Sequence, residues 1–299
     1  MKNSTQAFCD VCGPDFTGIF YTHRQGYDVL RCPRCALIWT DPLFSAPESQ
    51  DDAERAPYYA MDVYKKNAES QKERFAKQLQ WFLKTIGSVD HSTGVSLRVL
   101  EVGSGMGYFL DVCERAGVSA EGCDINETAV IQAAQNKQKV RLGSLDDTYR
   151  DNSYDAVFAF NLIEHLPHPK EFLVNAKRVL KPNGSLVVET PIQESLFHEM
   201  VRLGDRILGS KLPMIGVNPG GHIYQFSKRT WDIVCSDLGL EKMYEKQLGS
   251  PYQEITGKFA IQRHKRISLF RLALPVVWAV AEVTNLGNRL FLILRKRSQ

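Results

Sequence analysis

Val99-Leu100-Glu101-Val102-Gly103-Ser104-Gly105-Met106-Gly107-Tyr108-Phe109-Leu110 is the stretch that decides how this 299-residue chain is read. An apolar run of strand composition ends at Glu101-Val102, and a glycine-rich turn follows. The apolar-periodic segment from Tyr108 to Arg115 then predicts a helix. Strand, glycine loop and helix open a nucleotide-binding α/β unit. Glycine lets the backbone turn sharply and approach a ligand closely, and free N–H groups stand at the start of the helix. The dinucleotide fingerprint G-x-G-x-x-G is not met. Counted from Gly103 its third glycine falls on Tyr108, and counted from Gly105 on Leu110. The pattern is E-x-G-x-G-x-G, at Glu101, Gly103, Gly105 and Gly107.

Downstream, Ser119-Ala120-Glu121-Gly122-Cys123-Asp124-Ile125 reads as a second strand ending in an acid. Asp124 lies 21 residues after Gly103, where a carboxylate at the end of strand two bonds a ribose hydroxyl pair. The competing reading makes Asp124 the N-cap of a helix beginning near Glu127. A helix over residues 128–137 leads to a third strand, Val140-Arg141-Leu142, and then to Gly143-Ser144-Leu145-Asp146. An apolar fourth strand begins at Tyr154 and runs into Asn161-Leu162-Ile163-Glu164-His165-Leu166-Pro167. A helix over residues 170–180 is followed by Lys181-Pro182-Asn183-Gly184, which has strong turn chemistry. Ser185 to Glu189 is a fifth strand, closed by Thr190-Pro191.

The glycine loop, the terminal Asp124, the Tyr154-Asp155-Ala156-Val157-Phe158 strand with its Glu164-His165-Leu166-Pro167 ending, and Leu180-Lys181-Pro182-Asn183-Gly184-Ser185-Leu186 together resemble the class I S-adenosylmethionine-dependent methyltransferases. The resemblance covers residues 97–191. It implies cofactor contacts at Glu101, Gly103, Ser104, Gly105, Gly107, Asp124, Ile125, Ser144, Leu145 and Asn161. A carboxylate at Glu101 is compatible with the cationic methionine end of that cofactor. Family members often place an acid directly after the glycine that follows strand three, against the adenine amino group. Ser144 stands there in this chain, with Asp146 two residues on. Quinone-pathway relatives carry a Glu-x-x-Glu-His pattern that can bind a divalent cation; here the first position is Asn161, ahead of Glu164-His165.

Cys9-x-x-Cys12 and Cys32-x-x-Cys35 are separated by 19 residues. Two such knuckles can place four thiolates on one tetrahedral zinc ion, so a structural Zn2+ on Cys9, Cys12, Cys32 and Cys35 is expected rather than disulfides. Met1 to Ala7 is polar and carries no signal-peptide pattern, and with free cysteines this predicts a reducing, cytoplasmic setting. Lys2, Arg24, Arg31 and Arg34 balance Asp10, Asp15, Asp28 and Asp41 in this module. Without an electrostatic footprint for phosphate backbones, nucleic acid is not the expected partner. Similar small-molecule and sugar methyltransferases carry such a ribbon before the catalytic domain, which implies that it stabilises the amino terminus and helps cover the substrate.

Phe75, Leu79, Phe82, Leu83 and Ile86 recur at helical spacing within residues 66–86 and predict a helix with a core-facing stripe. The segment 192–225 is long for a loop in a compact domain and reads as a substrate lid. Phe197, Met200, Val201 and Ile207 would form its apolar face, Pro213 to Gly221 a flexible loop, and His222 would lie near its end. Ser227 is the expected N-cap of a helix over residues 228–238. Residues 258–299 hold nine Lys or Arg against Glu282, so the tail carries +8 in a chain of net +3. Arg271, Pro275 and Glu282 interrupt its apolar run, which argues against a membrane span. The Arg263-His264-Lys265-Arg266 cluster suits a peripheral membrane contact and an anionic or membrane-proximal acceptor, with a solvated face as the alternative.

These readings predict an α/β fold, a Rossmann-like seven-stranded methyltransferase sheet with helices on both faces, preceded by a small zinc ribbon. The expected divisions are a ribbon over residues 1–45, a helical linker region over 46–94, and a methyltransferase domain over 95–299 with its lid at about 192–225. The expected reaction is methyl transfer from S-adenosyl-L-methionine to a small-molecule, sugar or glycolipid acceptor, at oxygen rather than carbon or nitrogen. His165 and His222 are the general-base candidates, each with a structural role such as binding backbone as the competing reading. The second hypothesis is a non-catalytic zinc-ribbon scaffold or nucleic-acid-associated module that retains the fold. The complete glycine loop and Asp124 argue against it.

Overall fold

A computed structural model describes residues 7–24, 27–43, 67–87, 97–199, 203, 217, 221–250, 275–276, 278–281 and 283–298. The amino-terminal module contributes β1 (Phe8–Cys9), β2 (Gly13–Thr17), β3 (Ile19–Arg24), β4 (Tyr27–Arg31) and β5 (Ile38–Asp41). A linking helix, α1 (Ala68–Ile86), precedes β6 (Arg98–Val102), α2 (Tyr108–Arg115), β7 (Ser119–Asp124), α3 (Glu127–Gln135) and β8 (Val140–Leu142). The chain continues through β9 (Tyr154–Phe160), α4 (Pro169–Val179), β10 (Leu180–Pro191), β11 (Tyr224–Gln225), α5 (Lys228–Leu238), β12 (Leu240–Leu248) and β13 (Arg289–Lys296).

The large sheet has seven strands in the order β12-β13-β10-β9-β6-β7-β8. Strands β8, β7, β6, β9 and β10 are parallel, whereas β13 lies antiparallel to both β10 and β12. Chain order reverses between β6 and β9. In an open α/β sheet this switch point leaves a crevice at the carboxyl ends of the strands, and the glycine loop after β6 opens into it.

Both faces of the sheet are covered, which is why its strands are apolar on consecutive residues. Val99, Phe158, Val187 and Phe291 pack against Phe75, Phe82, Phe109 and Leu110 of α1 and α2. Leu100, Val157, Leu186 and Leu292 point the other way, into a cluster that includes Leu173 of α4 and Trp231 of α5. That second cluster also takes in Cys9, Cys32, Cys35, Leu37 and Trp39. The cysteine module therefore shares the core of the large sheet. It also shares a sheet: β11 pairs antiparallel with β5, Tyr224 opposite Trp39 and Gln225 opposite Ile38, in the order β11-β5-β4-β3.

Several local expectations shift. The N-cap of α3 is Asn126, whose side chain accepts from the Ala129 N–H, so Asp124 is not the cap. Asp124 ends β7 and accepts the Asn126 N–H instead, at 2.8 Å. Residues 181–184 do turn, with Asn183 at φ 63°, but as an irregularity inside β10, where pairing with β9 shifts register between Leu180 and Ser185. In the α1 stripe Phe75, Leu79 and Phe82 are buried, while Ile86 at the last turn is exposed. Ser227 caps α5 with a full capping box through Thr230. Most of the expected lid, including Met200, Val201 and Ile207, lies outside the described residues, as do residues 88–94 and the tail cluster Arg263, Lys265 and Arg266. No helix among the described residues is long and apolar enough to cross a membrane.

Candidate functional site

The glycine loop carries positive φ at Gly103 (75°), Gly105 (51°) and Gly107 (78°). A Cβ on Gly103 would come within 2.9 Å of Leu162, and one on Gly107 within 2.8 Å of Gln138. Dihedral and space both favour glycine at 103 and 107, and dihedral favours it at 105. It is pinned to the next strand: the N–H of Gly105 donates to Asp124 Oδ2 at 2.8 Å, and Gly103 N to the Cys123 carbonyl at 2.8 Å. Ser104 is buried with its hydroxyl on the Cys123 carbonyl.

Glu101 lies beneath this loop, buried, with Oε2 lacking a hydrogen-bond partner among the described residues. Burial, with the charge of Asp124 adding to it, holds its carboxyl well above the usual range. A buried carboxyl oxygen of this kind is stabilised by a cationic or donor group beside it. Ile125 stands 58 % exposed directly after Asp124, an apolar side chain at the lip of the crevice. Across the crevice Ser144 is exposed and Leu145 buried, and Asp146 is engaged with Arg141 and Thr148 rather than presented to the cleft.

At the carboxyl ends of β9 and β10 the structure surrounds Asn161, an expected cofactor contact, with groups that the sequence pattern did not single out. Asn161, at φ 49°, turns the chain out of β9; its N–H donates to the Glu189 carbonyl and its side-chain amide to Glu189 Oε1. Glu189 is fully buried. Burial alone would raise its pKa, but Arg74 and Arg289 outweigh that and, with the Gln78 amide, hold it below the usual carboxylate range. Arg289 reaches Oε1 at 3.1 Å and Arg74 at 3.9 Å. The Arg74 Nε is buried without a partner among the described residues. Arg74 and Gln78 come from α1 and Arg289 from β13. Only their positions on facing surfaces in three dimensions could reveal them.

The two base candidates, His165 and His222, are brought together. Their rings meet edge to face with centroids 4.7 Å apart. His165 Nδ1 lies 2.9 Å from the Gly221 carbonyl. A carbonyl only accepts, so Nδ1 carries the proton and Nε2 is the basic nitrogen of the neutral ring. Glu164 joins them: Glu164, His165 and His222 each put a donor atom within 4.8 Å of the others. Glu164 is fully buried and takes the Thr190 hydroxyl on Oε2 at 2.9 Å; its Oε1 has no hydrogen-bond partner among the described residues and lies 4.0 Å from His165 Nε2. Burial raises its pKa to about 7. The group has the composition that handles a proton or a divalent cation near neutral pH.

The four ribbon sulfurs also lie within 4.8 Å of one another, with Cys9 and Cys35 Sγ 3.6 Å apart. A tetrahedral zinc with bonds of about 2.3 Å sets sulfur separations near 3.8 Å, so the set fits that ion. The knuckle amides point at sulfur, Cys12 N to Cys9 Sγ and Cys35 N to Cys32 Sγ, each at 3.4 Å. All seven described cysteines are unpaired. Burial, followed by Cys35 and Cys32 nearby, lifts the Cys12 thiol to about 12. Four thiolates gathered at this spacing need a cation to offset their mutual repulsion.

A family model described as a methyltransferase domain matches residues 53–245. The chain is similar to the ubiquinone biosynthesis O-methyltransferase of Leptothrix cholodnii, with 22% identity over 61% of this chain and 77% of that protein. It is 32% identical to the mitochondrial ubiquinone biosynthesis O-methyltransferase of Rattus norvegicus, over 53% of this chain and 46% of that protein. The demethylmenaquinone methyltransferase of Tropheryma whipplei is 35% identical over 30% of this chain and 40% of that protein. The chain thus spans less than half the length of the latter two. In fold it is similar to an S-adenosylmethionine-dependent methyltransferase from Archaeoglobus fulgidus, with TM-score 0.50 and 20% identity, covering 79% of this chain and 100% of that one.

Proposed function

The chain belongs to the methyltransferase-domain family of class I S-adenosylmethionine-dependent enzymes, and on that premise we propose that it methylates a hydroxyl oxygen of a small-molecule acceptor. When bound, S-adenosylmethionine supplies a sulfonium-activated methyl group. Everything else has to come from positioning and proton handling by the chain's own side chains. Asp124 is the residue for the ribose hydroxyls, with Gly103, Gly105 and Gly107 giving close backbone approach. Glu101, whose Oε2 lacks a hydrogen-bond partner among the described residues, is the acceptor for the methionine ammonium. Arg74, whose Nε is equally unengaged, is the donor for the methionine carboxylate. Ile125 and Leu145 flank the adenine position, with Ser144 at its rim. Asn161, held by Glu189, lines the passage between cofactor and acceptor.

The observation that carries the oxygen-acceptor reading is the Glu164, His165 and His222 group at the crevice mouth. A hydroxyl attacking a sulfonium methyl must lose its proton, and His165 Nε2 is the nitrogen left basic by the Gly221 carbonyl. The names of the similar proteins, O-methyltransferases of ubiquinone biosynthesis, favour a phenolic, quinone-like acceptor over the carbohydrate-linked one also expected from sequence. A structural zinc on Cys9, Cys12, Cys32 and Cys35 completes the assignment.

The test is transfer of isotope-labelled methyl from S-adenosylmethionine across polyprenylated catechols, nucleotide sugars and glycolipids. Labelling of a catechol that falls by about two orders of magnitude in His165→Ala, the usual size of a general-base effect, is the expected result. Transfer to none of the three classes by protein that binds the cofactor would leave the scaffold reading in its place.

A further inference from the structure

Between β8 and β9 the chain crosses residues 143–153 without a helix. The sheet face beside that crossing carries a cavity of about 500 Å³, within the range of small-ligand sites. Its floor is the buried pair Tyr149 and Tyr154, rings 6.3 Å apart. Its rim is cationic. Arg98, Lys139, Arg141 and Arg150 line it against one carboxylate, Glu121. That carboxylate is already engaged by Arg98 at 2.8 Å and by the Tyr154 hydroxyl at 2.9 Å.

Two of the cations are held in place before any ligand arrives. The Arg98 guanidinium lies over the Tyr154 ring at 4.7 Å and that of Arg141 over Tyr149 at 4.4 Å. Asp146 and Thr148 fix Arg141 from one side, at 3.2 and 2.6 Å. Stacked guanidiniums lose less rotamer freedom on binding and offer a planar fork to oxyanions. Lys139 and Arg150 are exposed at the rim.

We propose that this groove is a second ligand site, taking a diphosphate-bearing small molecule. Four cations against two carboxylates already engaged, Glu121 on Arg98 and Asp146 on Arg141, leave an excess of two positive charges around a concave space, and Arg forks match phosphate oxygens bidentately. The site is separate from the cofactor cleft. Arg98 opens β6 while the glycine loop follows its far end, about 15 Å away at strand spacing. The basic residues ring a pocket instead of forming a long stripe, so a small polyanion is favoured over a nucleic-acid backbone.

The experiment is titration calorimetry on the full chain with two probes, inorganic pyrophosphate and ADP, while S-adenosylhomocysteine saturates the cofactor cleft. The comparison protein is Lys139→Glu/Arg150→Glu, changed at exposed positions so that the fold is retained. Retention is checked by unaltered S-adenosylhomocysteine affinity. Binding of both probes, weakened about tenfold or more in the double variant and again on raising salt from roughly 50 to 300 mM, is expected. ADP binding without pyrophosphate binding would move recognition from the diphosphate to the nucleoside and overturn the proposal. So would indifference to the charge reversal, or displacement of both probes by S-adenosylhomocysteine. Preferential capture of a short RNA duplex would make the groove a nucleic-acid surface and likewise end the small-ligand assignment.

Discussion

Ser227, the N-cap of α5, gives its hydroxyl to the carbonyl of Cys35 at 3.0 Å, 192 residues earlier in the chain. Thr230 adds its own hydroxyl to the same carbonyl at 2.9 Å. A helix cap of the large domain is thus built partly on a cysteine knuckle. Arg34 reinforces the junction with a two-pronged pair to Asp237 at the end of α5, at 2.8 and 2.9 Å. The ribbon is a load shared with the catalytic sheet, not a bead on a string.

Removing zinc should therefore be felt beyond the ribbon. Elemental analysis should find one zinc per chain in protein prepared without chelator, and none in Cys9→Ser. Because ligand binding and folding of such a module are linked, the variant should lose Tm in calorimetry. The loss should appear in the main transition, since Cys9, Cys35 and Trp231 share one core. A separate low-temperature transition with the main one unmoved would mean that the two modules are energetically independent.

Gly105→Val should abolish cofactor binding. The residue sits at φ 51°, where a side chain costs about 1–2 kcal/mol, and its N–H holds Asp124 in place. A branched side chain would also stand in the ligand's approach. Calorimetry with S-adenosylmethionine on a variant of native circular dichroism gives the answer, and unchanged affinity would remove the basis for the cofactor assignment.

Glu164 should make the protein less stable as pH rises towards neutrality. Its pKa is near 4.5 when unfolded and about 7 in the fold, so the folded state favours the protonated acid. That contribution is complete below pH 4.5 and is lost progressively as pH climbs through 7. The difference of 2.5 units corresponds to about 3 kcal/mol. Glu164→Gln, which cannot ionise, should flatten this part of the pH profile. Urea titrations at pH 5 and pH 8 would show it; parallel declines in both proteins would place the titration elsewhere.

Glu189→Gln should be costly. It leaves Arg74 and Arg289 facing each other without the carboxylate between them, and breaking a buried pair by removing one partner costs about 3–5 kcal/mol. The same change should loosen α1, because Arg74 and Gln78 both reach Glu189 from that helix. Faster amide exchange along α1 would separate this from a general loss of stability. Full protection in α1 would contradict the tie between helix and sheet.

What was legible in the sequence was local. Positive-φ glycines at 103, 105 and 107, the acid at the end of β7, the boundaries of α2 and α5, and the paired knuckles follow from turn chemistry, side-chain period and ligand spacing. Each of these acts over a few residues. Elsewhere two local solutions competed. The capping alternative weighed for Asp124 falls to Asn126, whose side chain reaches the third helical amide. The Asn183 turn was absorbed as a bulge because β9 continues to pair on both sides of it.

Only the tertiary structure decided what meets at the carboxyl ends of the strands. The topology sends β10 back beside β9 and lays β11 on the ribbon's β5, carrying the Gly221-His222 turn to within 2.9 Å of His165. It also draws Arg74 from α1 and Arg289 from β13 onto one buried carboxylate. No periodicity encodes such pairings. They arise because apolar faces must be covered on both sides of the sheet, and the polar groups carried along are then buried wherever a partner charge waits.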